Sequence, residues 1–138
     1  MKIFLSAPSR DLMLAQEIIS KLEAEHHEVY DWISVFKSEV NNEDPEIVAN
    51  FIRGLAYVAN CDMFILVVTS PGGPSVGSAM ELGVAMAHHC QSKLLELITI
   101  DDSCPWCRHP GRLWFTQRAY TKTVFRRVDD LIHSLERR

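Results

Sequence analysis

Glu81 stands out in this sequence as the only ionisable residue of an otherwise apolar or small-residue helix. The helix follows a turn rich in glycine and serine, and residues 70–87 read SPGGPSVGSAMELGVAMA. Burying a carboxylate without partners costs several kcal/mol, so a chain keeps one where amide donors, a cation or a ligand offset that cost. Gly77, Val84 and Ala85 are small neighbours at helical spacing, and they predict open space for a substrate beside the acid. The alternative is a partly exposed surface glutamate.

The turn before this helix has the chemistry to bind an anion. Ser75 is placed to cap the helix, Gly77 lets a ligand approach the backbone, and Ser78 adds a hydroxyl. A helix N-terminus also offers free amide donors, so a phosphate would suit this position. The alternative is that residues 72–74 make only a tight turn. No GxGxxG or Walker sequence is present, which disfavours dinucleotide redox chemistry and NTP hydrolysis.

Four cysteines in a chain of this kind, without an export signal, argue against a disulfide framework. Cys61 and Cys90 are interpreted as packing residues. Cys104 and Cys107 form a CPWC sequence, which in principle offers a redox pair or half of a zinc site. Histidines that would complete the zinc ligands are His88, His89 and His109. A single CxxC is weak evidence, so we expect a reduced loop, no metal and no cofactor.

Composition restricts the classes of partner. The chain has 138 residues, of which 47% are hydrophobic and 23% charged, as expected for one domain spanning residues 1–138. The net charge of −4 gives no basic footprint for nucleic acid, so a small-molecule partner is favoured. The N-terminus runs directly into an apparent strand, without a signal-peptide core or a membrane-spanning run. We therefore expect a cytoplasmic protein that binds neither nucleic acid nor membrane.

Strand and helix patterns alternate along the chain. The predicted strands are 2–7, 28–32, 63–69, 93–100 and about 113–120. The predicted helices are 11–25, one that begins at Pro45, the helix of Glu81, and about 123–137. This alternation predicts an α/β fold with a doubly wound, five-stranded parallel sheet, a flavodoxin- or Rossmann-like three-layer sandwich of strand order 2-1-3-4-5. Ligands of such sheets bind at the carboxyl ends of the strands, here between residues 6–10 and 69–78.

Four segments resemble the nucleoside 2-deoxyribosyltransferase family and its relatives, the nucleotide deoxyribose N-glycosidases. The segments are KIFLSAP, HEVYDW, ANCDMFILVV and SVGSAMELGVAMA. The likeness covers roughly residues 2–100, and its most specific part is Ser-x-Gly-x-x-x-Glu-Leu-Gly-x-Ala at residues 75–85. The resemblance implies that Glu81 is the nucleophile that attacks the anomeric carbon of the sugar. It also implies a homodimer or higher homo-oligomer.

The resemblance further implies a set of substrate-binding residues. Ser75 would contact a 5′-phosphate, with help from the loop after the first strand. The positions predicted to bind substrate are Phe4, Ser6, Pro8, Ser9, Arg10, Ser75, Gly77 and Ser78. Two catalytic positions of the family differ here, because its proton-handling aspartate is Gly54 and its first-strand tyrosine is Phe4.

Glycosidic cleavage needs a second acid to protonate the leaving base. Asp62 begins the third strand, and seven residues at about 3.3 Å each put it roughly 20 Å from the edge where Glu81 acts, so we predict a structural cap. Asp31 follows the second strand at the correct edge and is the best candidate, ahead of Asp101 and Asp102. The alternative for Asp31 is a solvated loop aspartate.

Two other functions fit the same residues. Toll/interleukin-receptor-like domains open on a similar strand, here IFLSAPSRD, and their NAD-cleaving members use a glutamate near the position of Glu81. The glycine-rich turn before Glu81 is closer to the deoxyribosyltransferase pattern. The third hypothesis is a non-catalytic nucleotide-binding module. Gly54 and Phe4 favour it, because they replace two catalytic residues of the family.

Overall fold

Strands and helices alternate along the part of the chain that the computed structural model describes, which comprises residues 1–34, 45–69, 75–88, 91–97, 124–125 and 127–136. The strands are β1 (Lys2–Ser6), β2 (Glu28–Val29), β3 (Met63–Thr69), β4 (Gln91–Leu97) and β5 (Val124–Phe125). The helices are α1 (Leu12–Ala24), α2 (Pro45–Asn60), α3 (Val76–Ala87) and α4 (Val128–Glu136), and a 3-10 turn covers Ser9–Asp11.

The sheet is parallel throughout, with strand order β2-β1-β3-β4-β5. Strands β1, β3 and β4 have five to seven residues and form its body, while the edge strands β2 and β5 have two residues each. The predicted α/β class, Rossmann-like parallel sheet and strand order are therefore confirmed. The predicted five-stranded sheet is confirmed in part, because three strands form its body and the two edge strands have only two residues each.

The predicted boundaries of the fourth strand and of the final helix need correction. β4 begins at Gln91, two residues before the predicted start. The final helix begins at Val128 instead of near residue 123, because Val124 and Phe125 pair with β4 as the fifth strand. The strand predicted at 113–120 lies outside the described residues.

β3 forms the centre of the core. All seven of its residues are buried, as its uninterrupted apolar run predicted for a strand covered on both faces. The rings of Phe4 on β1 and Phe64 on β3 stack with centroids 6.0 Å apart. Helices cover the sheet with apolar side chains. The buried ones on α1 and α4 are Ala15, Ile18, Leu22, Leu131, Ile132 and Leu135.

The edge of the sheet next to β1 is completed by a side chain. The Tyr30 amide donates to the Ile3 carbonyl at 3.3 Å, which is the last ladder bond on this side. The next carbonyl pointing the same way is that of Leu5, and it accepts a bond from the Trp32 indole Nε1 at 2.9 Å. The chain therefore leaves the predicted strand after Val29, because the side chain of Trp32 takes the place of a backbone donor.

Asp62 has the structural role that was predicted for it. Its Oδ2 accepts a hydrogen bond from the Lys2 amide at 2.8 Å, which ties the amino ends of β1 and β3 together. Cys61 is a packing residue, as expected, since it is buried with its thiol 3.2 Å from the Val58 carbonyl. No helix in the described residues is long and apolar enough to cross a membrane.

Candidate active site

Glu81 lies in the second turn of α3, beside the face of the helix that packs on the sheet. The buried residues of α3 are Ser78, Leu82 and Ala85. Glu81 is half-buried at the margin of this face, while Met80 and Met86 are exposed. The helix begins as predicted, because the Ser75 side chain accepts a hydrogen bond from the Ser78 amide at 3.1 Å.

Three hydroxyls form a chain that ends on the carboxylate. Ser75 Oγ lies 3.1 Å from Ser78 Oγ, and Ser78 Oγ lies 2.9 Å from Ser6 Oγ. Ser6 then donates to Glu81 Oε1 at 2.7 Å. A hydroxyl has one proton to donate, so with Glu81 ionised the protons of Ser75, Ser78 and Ser6 all point towards the carboxylate. The start of α3 and the end of β1 thus hold Glu81 in one orientation.

The environment of Glu81 makes its proton available near neutral pH. Burial raises the pKa of Glu81 to about 7, because the ionised carboxylate loses solvation. The hydrogen bond from Ser6 acts in the opposite direction and limits the rise. Both the acid and the carboxylate are therefore populated near pH 7, as suits a group that takes part in chemistry.

A cavity of about 480 Å³ opens beside Glu81 at the carboxyl end of β1. A pocket of this size accommodates a small organic molecule. Its lining residues come from β1 and the following turn, the segment after β2, and the helices α2 and α3. They are Phe4, Ala7, Ser9, Tyr30, Trp32, Ile47, Val48, Asn50, Phe51, Gly54, Ser75, Val76, Gly77, Ser78 and Glu81. Six of the predicted site positions are among them, and Ser6 contacts Glu81 directly.

The two ends of this cavity differ in chemistry. Around Glu81 the walls carry serine hydroxyls, whereas the β2 side is aromatic. The rings of Phe4 and Tyr30 stack with centroids 5.7 Å apart and an interplanar angle of 21°. The Tyr30 hydroxyl donates to Asn50 Oδ1 at 2.9 Å, which joins the aromatic wall to α2. The cavity therefore suits a ligand with a polar end and a flat, apolar end.

Glu81 is the only carboxylate that lines the cavity among the described residues. Gly54, at the position where the resemblance expects an acid, forms part of the cavity wall. A Cβ placed there would lie 3.5 Å from Phe4 Cε2 and 3.6 Å from Tyr30 Cε1, which are ordinary contacts. The wall at Gly54 thus accepts a Cβ without a close contact, although this chain places none there.

Asp31 does not line the cavity that Glu81 borders. Its Oδ1 accepts a hydrogen bond from the Ser34 amide at 3.2 Å, and the residue lines a separate cavity with Gln16, Ser20 and Glu23. The cause is the early end of β2 at Val29, which leaves Asp31 to cap the following turn. The placement of Asp31 therefore gives no support to its predicted role as the second acid. Asp101 and Asp102 lie outside the described residues.

The loop after β1 contributes only in part to the cavity. Ser9 lines it, but Pro8 and Arg10 do not. The Pro8 carbonyl accepts a bond from the Asp11 amide at 2.9 Å and so starts the 3-10 turn. The Arg10 guanidinium lies 3.5 Å from Thr69 Oγ1 and 3.7 Å from Asp11 Oδ2, at the carboxyl end of β3.

No group of His, Cys, Asp and Glu side chains in the described ranges could hold a metal ion. Most of the candidate zinc ligands lie outside those ranges, namely Cys104, Cys107, His89 and His109. Cys90 also lies outside them. His88 is exposed at the end of α3.

Of the residues at this end of the cavity, Phe4 was predicted from the sequence, whereas Tyr30, Trp32 and Asn50 were not. One signal was available in α2, where Asn50, Gly54 and Val58 recur every four residues and are all buried. A polar residue on a buried helical stripe must find a partner, and it here faces a cavity. Tyr30 and Trp32 had no such signal, because they were assigned to a longer β2.

Comparison with known proteins supplies structural neighbours only. No protein-family model matches the chain, and no curated protein matches it. A 2-deoxyribosyltransferase from Bacillus psychrosaccharolyticus superposes with a TM-score of 0.70 at 18% identity, over 96% of this chain and 90% of that one. A CMP N-glycosidase from Clostridium botulinum gives a TM-score of 0.58 at 16% identity, over 99% and 98% of the two chains.

The chain shares the fold of these enzymes. A conserved protein from Enterococcus faecalis V583 has the same fold, with a TM-score of 0.69 at 16% identity over 99% of this chain and 98% of that one. The fold resemblance inferred from the sequence motifs is thereby confirmed. At this identity the likeness extends to the fold, and function must be argued from the site.

Proposed function

We propose that this chain cleaves or transfers the N-glycosidic bond of a (deoxy)nucleoside or nucleoside 5′-monophosphate, with Glu81 as the nucleophile. The observation that carries the proposal is the Glu81 carboxylate, which borders a 480 Å³ cavity and is held by Ser6 at 2.7 Å. The fold shared with a 2-deoxyribosyltransferase and a CMP N-glycosidase supports this class of reaction.

The reaction uses the two oxygens of Glu81 differently. Oε1 accepts the bond from Ser6, and Oε2 has no hydrogen bond among the described residues. Oε2 attacks the anomeric carbon, the carbon–nitrogen bond breaks, and the base leaves with the electron pair. The sugar is then bound to Glu81 as an ester until water or a second base attacks the same carbon and restores the carboxylate.

The start of α3 would hold the polar end of the substrate. Ser75, Gly77 and Ser78 line the cavity together with Ser9. The first amides of a helix lack intrahelical partners and carry the positive end of its dipole, so they suit a 5′-phosphate or a sugar hydroxyl. A nucleoside 5′-monophosphate would then span from these amides to the aromatic wall.

Self-association is a second part of the proposal. Apolar side chains are exposed on α2 and α3, which pack against each other. They are Val48, Ile52, Val76 and Met80. Val48 and Val76 also line the cavity, so a second copy of the chain covering this surface would lie next to the site. Sedimentation at several protein concentrations tests this, and a monomer at all of them would contradict it.

One observation favours the alternatives. A neutral base leaves more easily with a proton, and the described lining residues provide no acid besides Glu81. A pyridinium base such as that of NAD leaves as a neutral molecule and needs no acid, which favours a Toll/interleukin-receptor-like NAD hydrolase. A site without an acid also fits a module that binds nucleotides without cleaving them.

One assay separates these functions. The full chain is incubated with deoxynucleosides, with nucleoside 5′-monophosphates and with NAD, and free base is measured by chromatography. Base release from the nucleosides or monophosphates is the expected result. Release from NAD alone would replace the proposal with NAD hydrolysis. Tight nucleotide binding without release from any substrate would identify a binding module.

A further inference from the structure

Asn50 lines the cavity with a buried amide whose two N–H donors have no acceptor among the described residues. The residue is 5% exposed and lines the cavity from the first half of α2. Its Oδ1 accepts from the Tyr30 hydroxyl at 2.9 Å. Its Nδ2 carries two N–H donors, and the described part of the chain offers neither of them an acceptor. A buried amide without acceptors is costly, and a ligand would remove that cost.

The orientation of this amide is fixed by its neighbours. The Tyr30 hydroxyl lies 2.9 Å from Asn50 Oδ1 and 3.3 Å from the Asn50 backbone carbonyl oxygen. Neither oxygen carries a proton, so Tyr30 donates its own proton to Asn50. The oxygen of the Asn50 amide therefore faces Tyr30, and the nitrogen faces away from it.

Asn50 belongs to the flat, aromatic end of the cavity. Tyr30 stacks on Phe4, and Gly54, one turn further along α2, lies against both of these rings. Glu81 and the serine hydroxyls form the other end. A sugar bound at Glu81 would direct its planar substituent towards this aromatic wall, where Asn50 also lines the cavity.

We propose that Asn50 reads the nucleobase by donating from Nδ2 to a carbonyl oxygen or ring nitrogen on the edge of the base; this inference rests on the proposed glycosidic function. The same bond assists the reaction. When the carbon–nitrogen bond breaks, the electron pair stays on the base, and a donor to that base stabilises the developing negative charge. The base then takes its proton from water. Asn50 thus does by hydrogen bonding part of what an acid at Gly54 would do by proton transfer.

Substitution by aspartate tests the direction of this hydrogen bond. Asn50→Asp keeps the shape and the acceptor for Tyr30 but presents an oxygen where the parent presents N–H. Binding is measured by calorimetry in full chains that also carry Glu81→Gln, to prevent turnover. The probes are AMP, CMP, GMP and UMP, with ribose 5-phosphate as the base-free control.

We expect the Glu81→Gln parent to bind at least one nucleotide more tightly than ribose 5-phosphate. At pH 8, Asn50→Asp should weaken the binding of that nucleotide by about tenfold or more, because one hydrogen bond is lost and two acceptors face each other. The binding of ribose 5-phosphate should weaken much less. As the pH falls and the introduced carboxyl takes up a proton, it regains a donor and nucleotide affinity should recover. A purely structural role for Asn50 gives no such recovery.

Equal weakening of nucleotide and ribose 5-phosphate at every pH would overturn the role of Asn50 and leave the glycosidic function standing. A parent that binds neither probe would overturn both. Tyr30→Phe provides a second, uncharged variant, because it frees the Asn50 oxygen and lets the amide rotate. Tyr30→Phe should weaken the binding of the nucleotide several-fold and the binding of ribose 5-phosphate by less than twofold. Equal effects on the two probes would again contradict the proposal.

Discussion

The Ser6 hydroxyl at the end of β1 lies 2.7 Å from Oε1 of Glu81 in the second turn of α3. Because β1 and α3 are 75 residues apart in sequence at this contact, the bond exists only when the sheet and the helix are assembled. It fixes which oxygen of the carboxylate accepts from the hydroxyl chain and leaves Oε2 without a hydrogen bond among the described residues. The chemistry proposed for Glu81 depends on this contact.

Glu81→Gln should abolish base release, because an amide is not a nucleophile, while the change leaves the volume of the side chain almost unchanged. We expect a loss of at least about a thousandfold, the scale on which removal of a nucleophile acts. Glu17→Gln is the matched control, since Glu17 is exposed on α1 and remote from the cavity. Chromatography of the released base measures both variants. Full activity in Glu81→Gln would exclude Glu81 as the nucleophile.

Ser6→Ala should move the pH dependence of the reaction. Burial raises the pKa of Glu81 to about 7 and the Ser6 bond opposes this rise, so its removal raises the pKa further. The reactive form is the carboxylate, so activity at pH 7 should fall roughly tenfold, on the scale of a hydrogen bond to a charged group, and recover at higher pH. Rate profiles from pH 5 to 9 show the shift, with Ser20→Ala as control. An unchanged midpoint would show that Ser6 does not act on the ionisation of Glu81.

The stability of the protein should depend on pH through the same carboxyl group. Its pKa is about 7 in the folded chain against an ordinary 4.5, so between these values the folded state holds a proton that the unfolded state releases. The free energy of unfolding therefore falls as the pH rises through this window. The free energy of unfolding of Glu81→Gln, measured relative to that of the parent, should be about 1–3 kcal/mol higher at pH 8 than at pH 4.5. Urea unfolding at both pH values measures this gain. A variant that follows the parent at both would show that Glu81 ionises normally in the fold.

Gly54→Asp should increase the release of neutral bases if the missing acid limits the reaction. A Cβ fits at this position, since it lies at 3.5 Å or more from Phe4 and Tyr30. A positioned acid contributes about a hundredfold or more to such a step. Gly54→Ala is the control, because it adds the Cβ and stabilises the helix by about 0.5–1 kcal/mol without adding an acid. Equal activity in both variants would show that proton delivery at Gly54 does not limit the rate.

The sequence predicted those features that local patterns encode. The apolar run of β3 indicated a central strand, and Ser75 before a helical segment indicated an N-cap. Glu81 was identified as a candidate because a carboxylate among small and apolar residues needs a partner, and the cavity beside it was expected on the same grounds. The strand order followed from the alternation of strands and helices.

The sequence could not predict features that depend on distant contacts. Asp31 was placed at the site because 28–32 has the pattern of a strand. The indole of Trp32 instead bonds to the Leu5 carbonyl, which ends β2 early and turns Asp31 towards Ser34. Asn50 could not be predicted for a similar reason, since its orientation depends on a hydrogen bond from Tyr30, 20 residues away in sequence. Helical spacing identifies a buried face but not what that face meets.

The bond from Trp32 to Leu5 also affects how the molecule behaves among copies of itself. An edge strand whose carbonyls are free is a template for pairing with a foreign strand, and two residues of β2 protect only the first half of β1. The indole occupies the acceptor that an intruding strand would use next. Trp32 therefore contributes both to the protection of this edge and to the cavity wall, and a replacement of Trp32 that preserved the wall would still expose the Leu5 carbonyl.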